Sequence, residues 1–135
     1  MKTYTNIKLL GLFFVLLIFM AGCEDILSLD ISDEDLNIIA PHHNSILKET
    51  EVRFLWDPVV GATRYHIQIV SPTFNLAEKF VIDTITNNNS YVTEIPQGNY
   101  EWRISGSNSY YNTEYKYLTF RIELVTDTIP EDNNN

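Results

Sequence analysis

Residues 54–70 read FLWDPVVGATRYHIQIV, and the reading of this stretch decides the fold. Its first half continues a run from Glu51 in which Val52, Phe54 and Trp56 fall on one side of an extended chain, with Glu51, Arg53 and Leu55 on the other. Pro58 and Gly61 then mark a turn, the first by fixing its own φ and the second by accepting backbone conformations that other residues avoid. Past the turn, Tyr65, Ile67 and Ile69 alternate with Arg64, His66 and Gln68. Apolar residues at every second position describe a strand with one buried face and one wet face.

The same period recurs on both sides. KFVIDTIT (79–86) is closed by Asn87, Asn88 and Asn89, and SYVTEIP (90–96) by Pro96, Gln97 and Gly98. NYEWRIS groups Tyr100, Trp102 and Ile104 on one face and Glu101 and Arg103 on the other. YKYLTFRIEL sends Leu118, Phe120 and Ile122 inward and Tyr115, Tyr117 and Arg121 outward. With an opening strand near Ile38–Ala40 there are seven short strands and no helical period. The expected fold is all-β, a seven-stranded antiparallel β-sandwich. Its anchors should be Phe54, Trp56, Tyr65, Ile67, Ile69, Tyr100, Trp102, Phe120 and Ile122.

Two motifs carry a family resemblance. FLWDPVVGATRYHIQIV and IPQGNYEWRISGSN (95–108) resemble a fibronectin type III domain, in the form common in Bacteroidetes envelope proteins. The resemblance spans residues 37–124. It implies an immunoglobulin-like sandwich with Trp56 as the core tryptophan of the second strand. It also implies that Ile95, Gly98 and Tyr100 form the corner before the sixth strand, where a tyrosine hydroxyl bonds back to the chain. Such a fold says little about a ligand.

The only cysteine, Cys23, lies outside this region, so no internal disulfide supports it. It follows an apolar run, LLGLFFVLLIFMA (9–21), preceded by Lys2 and Lys8. At about 13 residues the run is shorter than the roughly 20 of a membrane-spanning helix and reads as a signal peptide over 1–22. Met20-Ala21-Gly22-Cys23 resembles a bacterial lipobox, which implies cleavage before Cys23 and its acylation. More than one acyl chain anchors a protein stably. The expected location is the outer membrane of a bacterial cell envelope, with the surface-exposed and periplasmic faces both open.

Residues 23–36 form the expected lipidated tether. Its stretch EDILSLDISDEDL carries six acids and no base, so it should repel itself and extend, reaching at most about 45 Å. Acids directly after such a cysteine also resemble the surface-export signals of Bacteroidetes lipoproteins. Residues 125–135 read as a disordered polar tail. The chain carries 18 acidic and 9 basic residues, a net charge near −9, which argues against nucleic acid or anionic headgroups as partners. Within 37–124 the balance is 7 basic against 9 acidic, so the acidity sits in the flanks.

Catalytic signatures are missing from the sequence. There is no nucleophile elbow, phosphate-binding glycine loop or zinc motif. His42 and His43 point to opposite sides of an extended chain, so no metal site or cofactor is expected. A binding module is therefore expected rather than an enzyme. Two surfaces are candidates. The loop SGSNSYYNTEY (105–115) has the Gly, Ser, Asn and Tyr composition of adaptable binding loops and offers Tyr110 and Tyr111. The outer sheet face offers Arg64, His66, Gln68, Glu101, Arg103, Tyr115, Tyr117 and Arg121. The candidate ligand contacts are Tyr110, Tyr111, Tyr115, Tyr117, Arg64 and Arg103, for an envelope protein partner or an extracellular glycan. The alternative is a structural accessory or spacer subunit with no ligand of its own. Asp83-Thr84-Ile85 and Asp127-Thr128-Ile129 resemble a short O-glycosylation motif of Bacteroidetes envelope proteins, which would place glycans on Thr84 and Thr128.

Overall fold

The computed structural model describes residues 28–125. The signal peptide, Cys23, Thr128 and nearly all of the polar tail lie outside the described residues. Eight strands follow one another: β1 (Ile38–Ala40), β2 (Ser45–Leu47), β3 (Glu51–Trp56), β4 (Arg64–Val70), β5 (Phe80–Thr86), β6 (Ser90–Glu94), β7 (Gly98–Ser107) and β8 (Lys116–Ile122). They form a three-stranded sheet in the order β1-β3-β6 and a five-stranded sheet in the order β2-β8-β7-β4-β5.

Period-two patterning accounts for β3 to β8, and the short apolar run IIA for β1. The exception is β2, where Ile46 and Leu47 lie among polar residues with no alternation to mark them. It lies parallel to β8, pairing Ser45 with Phe120 and Leu47 with Ile122, while every other strand pair is antiparallel. The sandwich therefore has eight strands, one of them in parallel pairing.

The two inner faces meet in the expected core. Phe54 meets Trp102 edge-on, with ring centroids 4.8 Å apart, and Phe120 at 5.8 Å. Trp56 packs on Tyr65 at 5.3 Å, and Tyr100 stacks on Phe120 at 5.3 Å. Edge-to-face and offset packing of this kind adds to the gain from burial itself. The tyrosine corner falls on Tyr100, whose hydroxyl donates to the Pro96 carbonyl at 2.9 Å. Tyr65 is a second such strut, its hydroxyl accepting the Val59 N–H at 2.8 Å.

The structure moves the domain boundary. An extended leash was expected up to residue 36, yet Ile31 is 0% exposed and Leu36 1% exposed, both within the core cluster. Between them the chain turns, with the Glu34 N–H bonded to the Ile31 carbonyl at 3.1 Å. Asp33, Glu34 and Asp35 stay exposed, and both carboxylate oxygens of Asp35 receive Lys116 Nζ at 2.8 Å. Burying two aliphatic side chains outweighs the mutual repulsion of carboxylates that remain in water and are screened there. The folded unit thus begins ahead of Ile31, inside the expected tether. Gly61 takes a left-handed φ of 89°, and a Cβ there would come within 3.0 Å of the Leu29 side chain, so the β3–β4 turn and this segment are fitted to each other.

Candidate functional site

The outer face of the five-stranded sheet carries a connected polar and aromatic cluster. Register brings its members together: Gln68 on β4 sits opposite Arg103 on β7 and Asp83 on β5, and Arg103 sits opposite Tyr117 on β8. Arg103 Nε donates to Gln68 Oε1 at 2.8 Å, and its NH1 donates to the Tyr117 hydroxyl at 2.8 Å. The guanidinium lies 4.4 Å from the centroid of the Tyr115 ring and 4.4 Å from that of Phe74. A planar cation held against two ring faces gains quadrupole attraction and loses its freedom to reorient.

A second line of contacts runs beside the first. His66 Nε2 is 2.6 Å from Asp83 Oδ1, and His66 Nδ1 is 2.6 Å from the Tyr115 hydroxyl. An ionised carboxylate only accepts, so Nε2 carries the proton facing Asp83. In the neutral ring Nδ1 then accepts from Tyr115 O–H. The hydrogen bond from His66 is the main cause holding the Asp83 carboxyl below its ordinary range. The two lines meet where Arg103 stacks on Tyr115, and the register sets Gln68 opposite Asp83. Burial pushes the Tyr115 hydroxyl up from the usual phenol range, which disfavours the phenolate. The Asp83–His66–Tyr115 line thus orders this surface.

The β4–β5 loop, residues 71–79, folds over one end of this face. Its Phe74 N–H donates to Glu101 Oε2 at 2.7 Å, and the Phe74 ring meets Tyr117 at 5.7 Å and Phe80 at 6.2 Å. Val70 points outward by alternation and is nonetheless buried. Phe80, Ile85 and Tyr117 remain exposed around the cluster.

The sequence-derived candidates divide accordingly. Tyr115, Tyr117 and Arg103 converge, together with His66 and Gln68. Arg64 does not join them; its Nε bonds the Ser107 hydroxyl at 3.1 Å. Arg121 pairs instead with Glu123 at 3.0 Å. The loop tyrosines separate, with Tyr110 standing in solvent and Tyr111 packed against the core. Both are placed by Asn108, whose Oδ1 accepts their backbone N–H groups at 3.0 and 2.9 Å. Thr84 falls on the inward side of β5 opposite Ile67 and is half-buried, a poor position for a bulky glycan. His43 Nδ1 accepts the Thr119 N–H at 3.2 Å, and no group of three or more metal-ligating side chains occurs among the described residues. Phe74, Phe80 and Asp83 are not among the sequence-derived contacts. Phe74 lies in a loop without periodicity, and the partners of Asp83 are remote in sequence.

With this geometry in view, the comparison with solved structures is informative about the fold. Fibronectin(III)-like modules of CbhA from Clostridium thermocellum superpose with a TM-score of 0.50 at 8% identity, covering 68% of this chain and all of theirs. The fn3 domain of human collagen alpha-1(XX) chain superposes with a TM-score of 0.52 at 18% identity, covering 78% of this chain and 96% of its own. The fold is that of a fibronectin type III module. The identities are too low to carry anything further. No protein-family model matches the sequence, and comparison with curated proteins gives no significant match.

Proposed function

We propose that the chain is a lipid-anchored protein of a bacterial cell envelope whose fibronectin type III-like sandwich is a non-catalytic binding module. In this reading Cys23 is acylated and the outer face of the five-stranded sheet engages a protein partner. The observation that carries the reading is the stacked Arg103 cluster. It fixes Tyr115, Tyr117 and Phe74 in a preordered surface beside exposed Phe80 and Ile85, and arginine and aromatics are the residue types that dominate interface hot spots. Preordering lowers the entropy cost of binding.

The same geometry favours a protein over a glycan. Sugars stack their C–H faces on free aromatic faces, and the guanidinium already lies over Tyr115 and Phe74. The test is a photo-crosslinking residue at Ile85, with another at Arg53 on the outer side of β3, in intact envelopes. A discrete adduct from Ile85 that disappears with Tyr117→Ala, and none from Arg53, supports the reading. No adduct from either position favours the spacer role, and glycan binding lost on Tyr117→Ala would replace the protein partner with a sugar. For the anchor, Cys23→Ser should move the chain out of the membrane fraction; unchanged retention refutes acylation.

A further inference from the structure

One end of the sandwich is organised around Asn108. Its Nδ2 donates to the Leu29 carbonyl at 2.8 Å and to the Gly61 carbonyl at 3.1 Å. Its Oδ1 holds the backbone of Tyr110 and Tyr111. One buried amide therefore ties together the segment leading into the domain, the β3–β4 turn and the β7–β8 loop. Around it three large apolar side chains stand in solvent, one from each segment: Leu29 at 52% exposure, Val60 at 76% and Tyr110 at 73%. Folding gains little from Val60 and Tyr110 left this exposed and only part of what Leu29 could give, and loop tips ordinarily carry polar residues.

We propose that Leu29, Val60 and Tyr110 form a foot that rests on the lipid interface. The proposal rests on the reading of Cys23 as the acylated residue. Five residues separate Cys23 from Leu29, and even fully extended they span only about 20 Å. Leu29 is pinned to the sandwich, so the end that carries the foot cannot stand farther than this from the anchor. The opposite end lies farther away, since β7 alone, Gly98–Ser107, extends about 30 Å. A tyrosine ring with its hydroxyl suits the headgroup level, and valine and leucine suit the acyl boundary just below it. The contact area is small, but the short tether holds it at high effective concentration. The exposed carboxylates of Asp30 and Asp57 lie beside Leu29 and the β3–β4 turn. The foot therefore fits zwitterionic headgroups, because an anionic leaflet would repel it. Seated this way, the sandwich stands upright and turns the Arg103 face sideways, open to a neighbour in the membrane plane.

The test uses the mature lipoprotein in phosphatidylcholine vesicles containing nitroxide-labelled lipid. With Cys23 acylated, a fluorophore can be attached through Ser109→Cys, beside the foot, or through Gln97→Cys, at the opposite end. The fluorophore at position 109 should be quenched severalfold more than the one at 97. Combining Ser109→Cys with Val60→Asp and Tyr110→Asp should cut that quenching severalfold, leaving only the part that the short tether imposes, whereas Tyr110→Trp should raise it. Far-ultraviolet circular dichroism, measured before labelling, reports that each variant is folded. Equal quenching at the two positions, or quenching at 109 that ignores the substitutions, overturns the foot and leaves the anchor standing. An intact mass showing no acyl chain on Cys23 overturns both.

Discussion

Replacing Ile31 by alanine tests whether the acidic stretch before β1 is leash or core. The side chain loses three carbons from a fully buried site. At about 0.8 kcal/mol per buried CH₂ the transfer loss is about 2.4 kcal/mol. Incomplete collapse of the cavity adds to it, so the expected cost is about 3 kcal/mol, within the usual range for such truncations. For a domain of this size that corresponds to a fall in Tm on the order of 10–20 °C. The assay is guanidinium unfolding followed by emission of the buried Trp56 and Trp102, with the denaturant slope compared among variants. Glu34→Ala, three residues on and exposed, should change stability by no more than about 0.5 kcal/mol. If Ile31→Ala is indistinguishable from Glu34→Ala, the segment is a solvated leash. The short distance between Cys23 and the sandwich, on which the membrane foot depends, then disappears with it.

Other outcomes follow from the core and the outer face. Trp56→Ala should cost about 3–5 kcal/mol through the cavity it leaves between the sheets, measured by the same unfolding assay. Tyr100→Phe keeps the stack on Phe120 and removes only the hydrogen bond to Pro96, so a loss of about 1 kcal/mol is expected; a loss as large as that of Trp56→Ala would contradict the corner assignment. The Asp83 carboxyl is held below its ordinary range chiefly by His66, so its contribution to stability is fully present above the unfolded carboxylate range and fades as pH falls through the lowered folded value. The difference in Tm between the parent and Asp83→Asn should therefore shrink in acid below about pH 4; a difference unchanged down to pH 2 would show that the His66 bond stabilises nothing.

The alternation in EVRFLW, RYHIQIV and NYEWRIS determined by itself that the chain is a β-sandwich. It also determined which aromatics fill the core, because a side chain's face is set by its parity along a strand. The corner at Tyr100 came instead from the resemblance carried by IPQGNYEWRISGSN, and the Pro96 bond places it there. Strand β2 escaped because Ile46 and Leu47 lie among polar residues with no alternation to mark them, and its parallel pairing with β8 is a long-range choice. The fate of Ile31 and Leu36 was equally illegible. Acids around them signal solvent, and only packing into a core built from strands distant in sequence makes their burial favourable. The outer face divides along the same line. Parity placed Gln68, Arg103 and Tyr117 on one side of the sheet. Tertiary register alone set Asp83 against His66 and folded Phe74 over the guanidinium, because those contacts join strands and a loop that share no local pattern.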